Sequence, residues 1–480
     1  MPVVAGLDFG GGAVKACVAD VDGGEVLAVA EEPTRTDHPA PGRAEFDPHA
    51  WWQAAGRAMR MAVRRAGHSA DEYSALSVTS LRQGYVLLDD EQELGPGVLN
   101  ADRRGANHLE RVVMAVGRRR LYEVTGHWSA PQLTLPKLLE ERRSGRMKHA
   151  RTILFVHDWA LWRLCGERVS EPSVASAGQL LDVERRAWAR DILEALELDP
   201  ALLPPLVDAG ERVGTLRDAD LGLPTGLDVM VGGGDTQLAA AGAGGLGDRA
   251  VSVVAGTTTP LQVSTAVFPR DPQQHPWVSA HLRPGRWAAE TNAGYTGMSL
   301  DWFARIAGAD VQTLADEAAT SRPGADGVTA AVTASNWSEE TWSDRAPGGL
   351  IGFEPRHSRG DVARAFIEAH AYGIRGNLED LERATGATAS QVCLLGGAAR
   401  SRGFIQLVAD VSGRTIGRAA SDYPAGRAFA WLARSTDGVD PPAFEGEVME
   451  PREHEAYEEG YRRYLAAGDA LHRTLPGWTA

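Results

Sequence analysis

At 480 residues the chain exceeds what one hydrophobic core usually serves, so two domains are expected. Hydrophobic residues make up 43% and charged residues 24%, an ordinary globular balance, and the net charge of −15 argues against nucleic acid or an anionic membrane as partner. The three cysteines, Cys17, Cys165 and Cys393, are widely spaced and odd in number, which excludes a disulfide framework and a cysteine-based zinc site. With no basic-plus-apolar leader and no run of about 18 apolar residues, the cytoplasm is the expected location.

The pattern predicts a meander over residues 3–30, with strands at 3–8, 13–19 and 26–30. The turn Asp22-Gly23-Gly24 between two apolar runs is a strong hairpin signal. A helix is predicted over 45–65, with Pro48 near its start. Strands follow at 75–80 and 86–89, then a long helical stretch to residue 120, a helix over 137–143 and a strand at 153–156. This alternation favours an α/β fold. The proline-rich segment 204–224 reads as a crossing between domains, which sets the expected division at 1–224 and 225–480. Beyond it, strands are predicted at 251–254 and 392–395, helices at 361–385 and 403–411, and a terminal helix at 453–471.

Two stretches share one design. Val229 to Val231 runs into Gly232-Gly233-Gly234 and then Asp235; Val3 to Leu7 runs into Asp8 and then Gly10-Gly11-Gly12. Each is a short apolar strand, an acid and a cluster of glycines. The glycines are expected to turn the backbone sharply and bring it close to a ligand. The acids are expected at strand ends, where open α/β sheets place their ligands. Two such units suggest a duplicated architecture sharing one cleft.

Further landmarks follow in order: Phe46-Asp47-Pro48 with Trp51-Trp52, Asn100-x-Asp102-x-Arg104, Gly256-Thr257-Thr258, Arg345-Ala346-Pro347, Arg364-Ala365 with Glu368, and Gly396-Gly397-Ala398-Ala399-Arg400-Ser401. Together they resemble the FGGY carbohydrate kinases, over nearly the whole length. Ser80-Leu81-Arg82-Gln83-Gly84 and Gly234-Asp235-Thr236-Gln237-Leu238 look most like autoinducer-2 kinases, with xylulokinases next.

The resemblance implies two actin-like (ribonuclease H-like) α/β ATPase domains flanking a cleft, and transfer of the γ-phosphoryl group of ATP to a hydroxyl of a sugar or sugar-like molecule. It implies Asp235 as the base, and Asp8 with Asp235 as the groups that orient Mg²⁺. Arg82, Gln83, Asp102 and Gln237 are the implied substrate contacts. Gly10, Gly11, Gly12, Lys15, Gly256, Thr257 and Thr258 are implied at the phosphates, and Gly396, Gly397, Ala398 and Ser401 at the adenosine. A homodimer is compatible with the resemblance. His157, His370 and Trp287 read as structural, and Gln132 as a solvated loop residue.

Three departures stand out. Gly11, Gly12 and Ala13 replace the hydroxyl residues usual after the first acid, Arg427 replaces a small residue in a late alanine-rich helix, and Ala369 follows Glu368 where a glycine is usual. They motivate an alternative: a member of the same fold that binds sugar and nucleotide but has impaired catalysis.

Overall fold

The computed structural model describes residues 1–217, 219–256, 258–331, 348–434 and 439–474. Among them, two large sheets repeat one topology. The first sheet is built from β1 (Val3–Phe9), β2 (Ala13–Asp20), β3 (Val26–Pro33), β4 (Tyr73–Ser80), β5 (Arg212–Thr215) and β6 (Asp228–Gly234), in the order β3-β2-β1-β4-β6-β5. The first three strands run antiparallel, β4 and β6 are parallel to β1, and β5 closes the edge antiparallel.

The second sheet comprises β7 (Ala250–Val254), β8 (Pro260–Thr265), β9 (Trp277–Ala280), β10 (Trp287–Asn292), β11 (Gln391–Leu395), β12 (Ile416–Ala419) and β13 (Gly446–Met449). Its order is β9-β10-β8-β7-β11-β12-β13. From β10 to β13 it repeats the first sheet's antiparallel–parallel–antiparallel sequence of pairings, with β9 as an added edge. The expected duplication is therefore present at the level of sheets.

Helix α1 (Pro48–Ala66) shows how local chemistry sets these elements. Asp47 accepts a hydrogen bond from the His49 N–H, Pro48 occupies the first turn, and Gly67 ends the helix at φ 71°. The prediction began this helix at residue 45, but Glu45–Phe46 pairs instead with Gly97–Val98 in a small sheet. The predicted long helix ending at 120 is two helices, Leu109–Val116 and Arg118–Thr125, broken where Gly117 turns at φ 86°.

One face of the first sheet packs on α1 and α2 (Val156–Cys165) through Leu7, Phe9, Trp51, Met59, Trp159 and their neighbours. The other face receives α3 (Asp235–Gly242). The second sheet packs on α4 (Arg359–Thr385) and α5 (Arg402–Ser412). Helix α6 (Pro424–Leu432) belongs to the C-terminal half in sequence, yet it lies on α3 and on β2, with Ala425, Ala428 and Phe429 buried against Val4, Cys17 and Ala19.

The expected boundary at 224/225 does not match this arrangement. Strand β6 pairs parallel to β4 inside the first sheet, and segment 204–224 supplies the edge strand β5 rather than a crossing. The chain enters the second sheet only at Ala250. Among the described residues no helix is long and apolar enough to cross a membrane.

Candidate active site

A cleft of about 640 Å³ lies where the two sheets face each other, and both acids of the paired glycine motifs line it. Asp8 is the penultimate residue of β1, and Asp235 is the first residue of α3. The glycines before Asp235 act differently from the expectation. They lie within β6 and are buried. A Cβ on Gly232 would stand 1.6 Å from the Val78 carbonyl oxygen, and one on Gly233 would stand 2.2 Å from Leu282. They allow close strand packing, and with it a register shift between Met230 and Gly233. In the turn Gly10-Gly11-Gly12 the Gly10 N–H donates to the Ala13 carbonyl at 3.0 Å, and a Cβ at Gly11 or Gly12 would meet nothing within 4 Å.

The two acids sit in distinct fields. Burial and the neighbouring charge of Asp235 push the Asp8 carboxyl up to about 7, while Lys15 and the Tyr423 hydroxyl pull the other way. Asp235 keeps 41% of its side-chain surface open to the cleft. Burial raises its carboxyl above the ordinary range, opposed by Arg82, and water in the cleft softens that shift. Thr236 donates its backbone N–H to Asp235 Oδ1 at 2.7 Å, which fixes the carboxylate at the helix start.

Arg82 is held between two carboxylates. Its guanidinium meets Glu290 at 2.9 and 3.1 Å, and its Nε lies 3.7 Å from Asp235 Oδ1. Glu290 is buried on β10 and accepts a further bond from the Gln262 side-chain amide. Gln83 lines the cleft at φ 64°, a left-handed conformation unusual for a residue with a side chain. Its carbonyl is held by the Thr134 hydroxyl at 3.1 Å and by the buried Lys137 ammonium at 3.4 Å, and Lys137 also binds the Leu99 carbonyl at 2.8 Å.

Two expected substrate contacts are spent elsewhere. Asp102 is fully buried and takes bonds from Arg104 and the Ala44 N–H. It is the local ion pair, and its neighbours Asn100, Ala101 and Arg103 reach the cleft instead. Gln237 is 1% exposed; its amide donates to the Ala280 carbonyl at 2.8 Å and accepts from the Leu282 N–H at 3.0 Å, tying α3 to the second sheet's edge. Gln132, expected to be solvated, lines the cleft and accepts from Arg103 at 3.0 Å.

Lys15, Gly256 and Thr258 also line the cleft, while Thr257 lies outside the described residues, as do Arg345, Ala346 and Pro347. The Gly256 N–H closes its own turn onto the Thr258 carbonyl at 3.2 Å, so that amide is not aimed outward. Gly396 takes φ 86°, and a Cβ there would lie 2.6 Å from the Ala255 carbonyl oxygen, to which the Ala398 N–H also donates. These contacts stitch the turns after β7 and β11 together. Gly397 is exposed with open space around it. Ser401 caps α5 by accepting from the Phe404 N–H.

The residues expected to be structural are so. His157 pairs with Asp158 at 2.8 Å, His370 with Thr259 at 2.8 Å, and the Trp287 indole donates to the Val183 carbonyl at 3.0 Å. Trp277 is the tryptophan that lines the cleft. Arg427 points away from it, paired with Glu445 at 2.8 Å.

The sequence lacked a signal for Glu290 and Tyr423, because their partners lie 208 and 415 residues away. Among the described residues no group of three or more acids, histidines or cysteines could hold a metal alone. A buried carboxyl at Asp8, raised by burial and by the charge of Asp235 in the same cleft, suits with that second acid a cation that keeps most of its waters, as Mg²⁺ does.

Comparisons with known proteins agree along the chain. The FGGY family of carbohydrate kinases, N-terminal domain, matches residues 3–242, and the C-terminal domain of that family matches residues 251–427. An autoinducer-2 kinase from Escherichia coli O9:H4 (strain HS) is 30% identical, covering 85% of this chain and 81% of its own length. A xylulose kinase from Rhodospirillum rubrum superposes with a TM-score of 0.87 at 28% identity, covering 98% of this chain and 99% of that one. A ligand-bound xylulose kinase from Lactobacillus acidophilus shares the fold at a TM-score of 0.90 and 19% identity, covering 99% of each chain.

Proposed function

The chain belongs to the FGGY family of carbohydrate kinases, and from that premise we propose that it phosphorylates a hydroxyl of a ketopentose or of an autoinducer-2-type dihydroxy-dione. The observation that carries this reading is Asp235 at the start of α3, facing the same cleft as Asp8, with Arg82 beside it. The reaction runs in the cytoplasm, and a homodimer is the assembly implied by the family resemblance.

Phosphoryl transfer asks the protein mainly to position groups and to balance charge. In this reading Asp235 accepts the proton of the attacking hydroxyl as the new P–O bond forms. Arg82 favours the ionised form of Asp235 and has Glu290 as its second counter-ion, so it stays fixed while the acceptor is bound. Gln83, Asn100, Arg103 and Gln132 offer the hydrogen bonds that select a polar, linear acceptor. Asp8 and Asp235 would hold Mg²⁺, which when bound neutralises charge on the β- and γ-phosphates. The Gly11–Gly12 turn, with open space at both Cβ positions, and the cleft-lining Thr258 would face the phosphates, and Gly397 leaves room for the adenosine.

The test is ADP release across D-xylulose, L- and D-ribulose, glycerol, erythritol and the autoinducer-2 precursor, with wild type and Asp235→Asn side by side. An acceptor-dependent signal lost in the variant is the expected result. A protein that binds nucleotide and acceptor yet releases no ADP with any of them supports the catalytically impaired alternative.

A further inference from the structure

Tyr423 belongs to none of the landmarks that mark the chain as a kinase. It stands immediately before α6, and its ring lines the cleft beside Asp8 and Lys15. Its hydroxyl donates to Asp8 Oδ2 at 3.2 Å, across 415 residues of sequence. Among the described residues it is the hydrogen-bond partner of that carboxylate. Ser421 Oγ fixes the Tyr423 backbone by accepting its N–H at 3.1 Å. The helix that follows is locked in register with β1: a Cβ on Gly6, two residues before Asp8, would lie 2.1 Å from the Phe429 ring.

We propose that Tyr423 is a positioning residue for the nucleotide's divalent cation, holding one oxygen of Asp8 so that the other is presented to the cleft. This deepens the kinase reading and rests on it. A carboxylate bound at one oxygen cannot turn freely about its last torsion. The turn that follows Asp8 has no side chain to do this, since it reads Gly10-Gly11-Gly12 and leaves open space at Gly11 and Gly12. Lys15, the cross-strand partner of Asp8, brings charge, but its ammonium lies 3.9 Å from Glu31. The restraint therefore comes from the C-terminal half, and it exists only when α6 is seated on the first sheet.

The experiment is calorimetric titration of ADP into the full chain, with and without Mg²⁺, for wild type, Tyr423→Phe and Asp8→Asn. Phenylalanine keeps the ring and removes only the donor. Wild type should gain affinity from Mg²⁺; Tyr423→Phe should bind MgADP about tenfold more weakly, the scale of one hydrogen bond to a charged group. Metal-free ADP affinity should stay unchanged, and the apo unfolding midpoint should move by no more than a few degrees. Equal weakening with and without Mg²⁺, or full retention of the Mg²⁺ gain, would overturn the role. So would a lowered apo midpoint with the Mg²⁺ gain intact. A wild type that binds no ADP under either condition brings down the kinase reading itself, whereas a binding wild type with an unaltered variant removes only Tyr423.

Discussion

Arg82 and Glu290 form a buried, two-pronged ion pair that joins the loop after β4 to β10, one strand in from the edge of the second sheet, with Asp235 on the guanidinium's other side. Glu290 is 5% exposed, so removing its partner strands a charge away from water. Arg82→Met should lower unfolding free energy by about 3 kcal/mol. Pairing it with Glu290→Leu should recover most of that loss in urea titrations while leaving ADP release abolished. Recovery of turnover along with stability would show that the pair serves only the fold.

The Asp8 carboxyl, pushed up to about 7, makes metal use pH-dependent. Below that value Asp8 carries a proton that a cation must displace, so the Mg²⁺ concentration for half-maximal activity should rise as pH falls from 8 to 6. Stability without metal follows the same group. Its folded value lies above the ordinary 3.8, so its contribution is full below that and is lost as pH rises through about 7. Apo unfolding midpoints should decline between pH 5 and 8, and Asp8→Asn should flatten that decline.

Glycines in the two acid motifs should respond in opposite ways. Gly232→Ala places a methyl 1.6 Å from the Val78 carbonyl oxygen and should cost more than about 4 kcal/mol, seen as loss of soluble protein or of the unfolding transition. Gly12→Thr enters open space and should leave the midpoint level or slightly raised. It also restores a hydroxyl to the phosphate turn, so MgADP should bind several-fold more tightly by calorimetry.

Lys137 should matter through the carbonyls it holds. Lys137→Met leaves Leu99 O and Gln83 O short of a buried donor, at about 1–3 kcal/mol. Since Gln83 is kept at φ 64° from beneath, the acceptor KM should rise more than kcat falls. Steady-state kinetics over the acceptor concentration reads that split.

Where a side chain's role is decided near its own position, the sequence was a good guide. Asp8 and Asp235 end up in one cleft because β1 and β6 both run parallel to β4 in one mixed sheet, which brings the end of β1 and the start of α3 to the same end of that sheet, and the apolar run before each acid is visible in the residues. Asp102 and Gln237 were misjudged because a polar residue near a strand end can equally be consumed by the fold. Arg104, two residues on, takes up Asp102, and a backbone segment more than 40 residues on takes up Gln237. Strand β6 was assigned to the wrong half because its partner β4 lies some 150 residues earlier, and a parallel pairing leaves no turn between them to read. Arg427, one of the departures noted in the sequence, does not line the cleft: its guanidinium pairs with Glu445 and donates to the Ala443 carbonyl.

The seating of α6 on the first sheet also bears on how the chain is born. Val4, Cys17 and Ala19 emerge from the ribosome first, but α6, which covers them, is made more than 400 residues later. At about 5–20 residues per second, that apolar face waits about 20–80 seconds for its lid. Nascent chains stalled before residue 424 should therefore be bound by chaperones that recognise exposed apolar sheet, and chains released just after α6 should not.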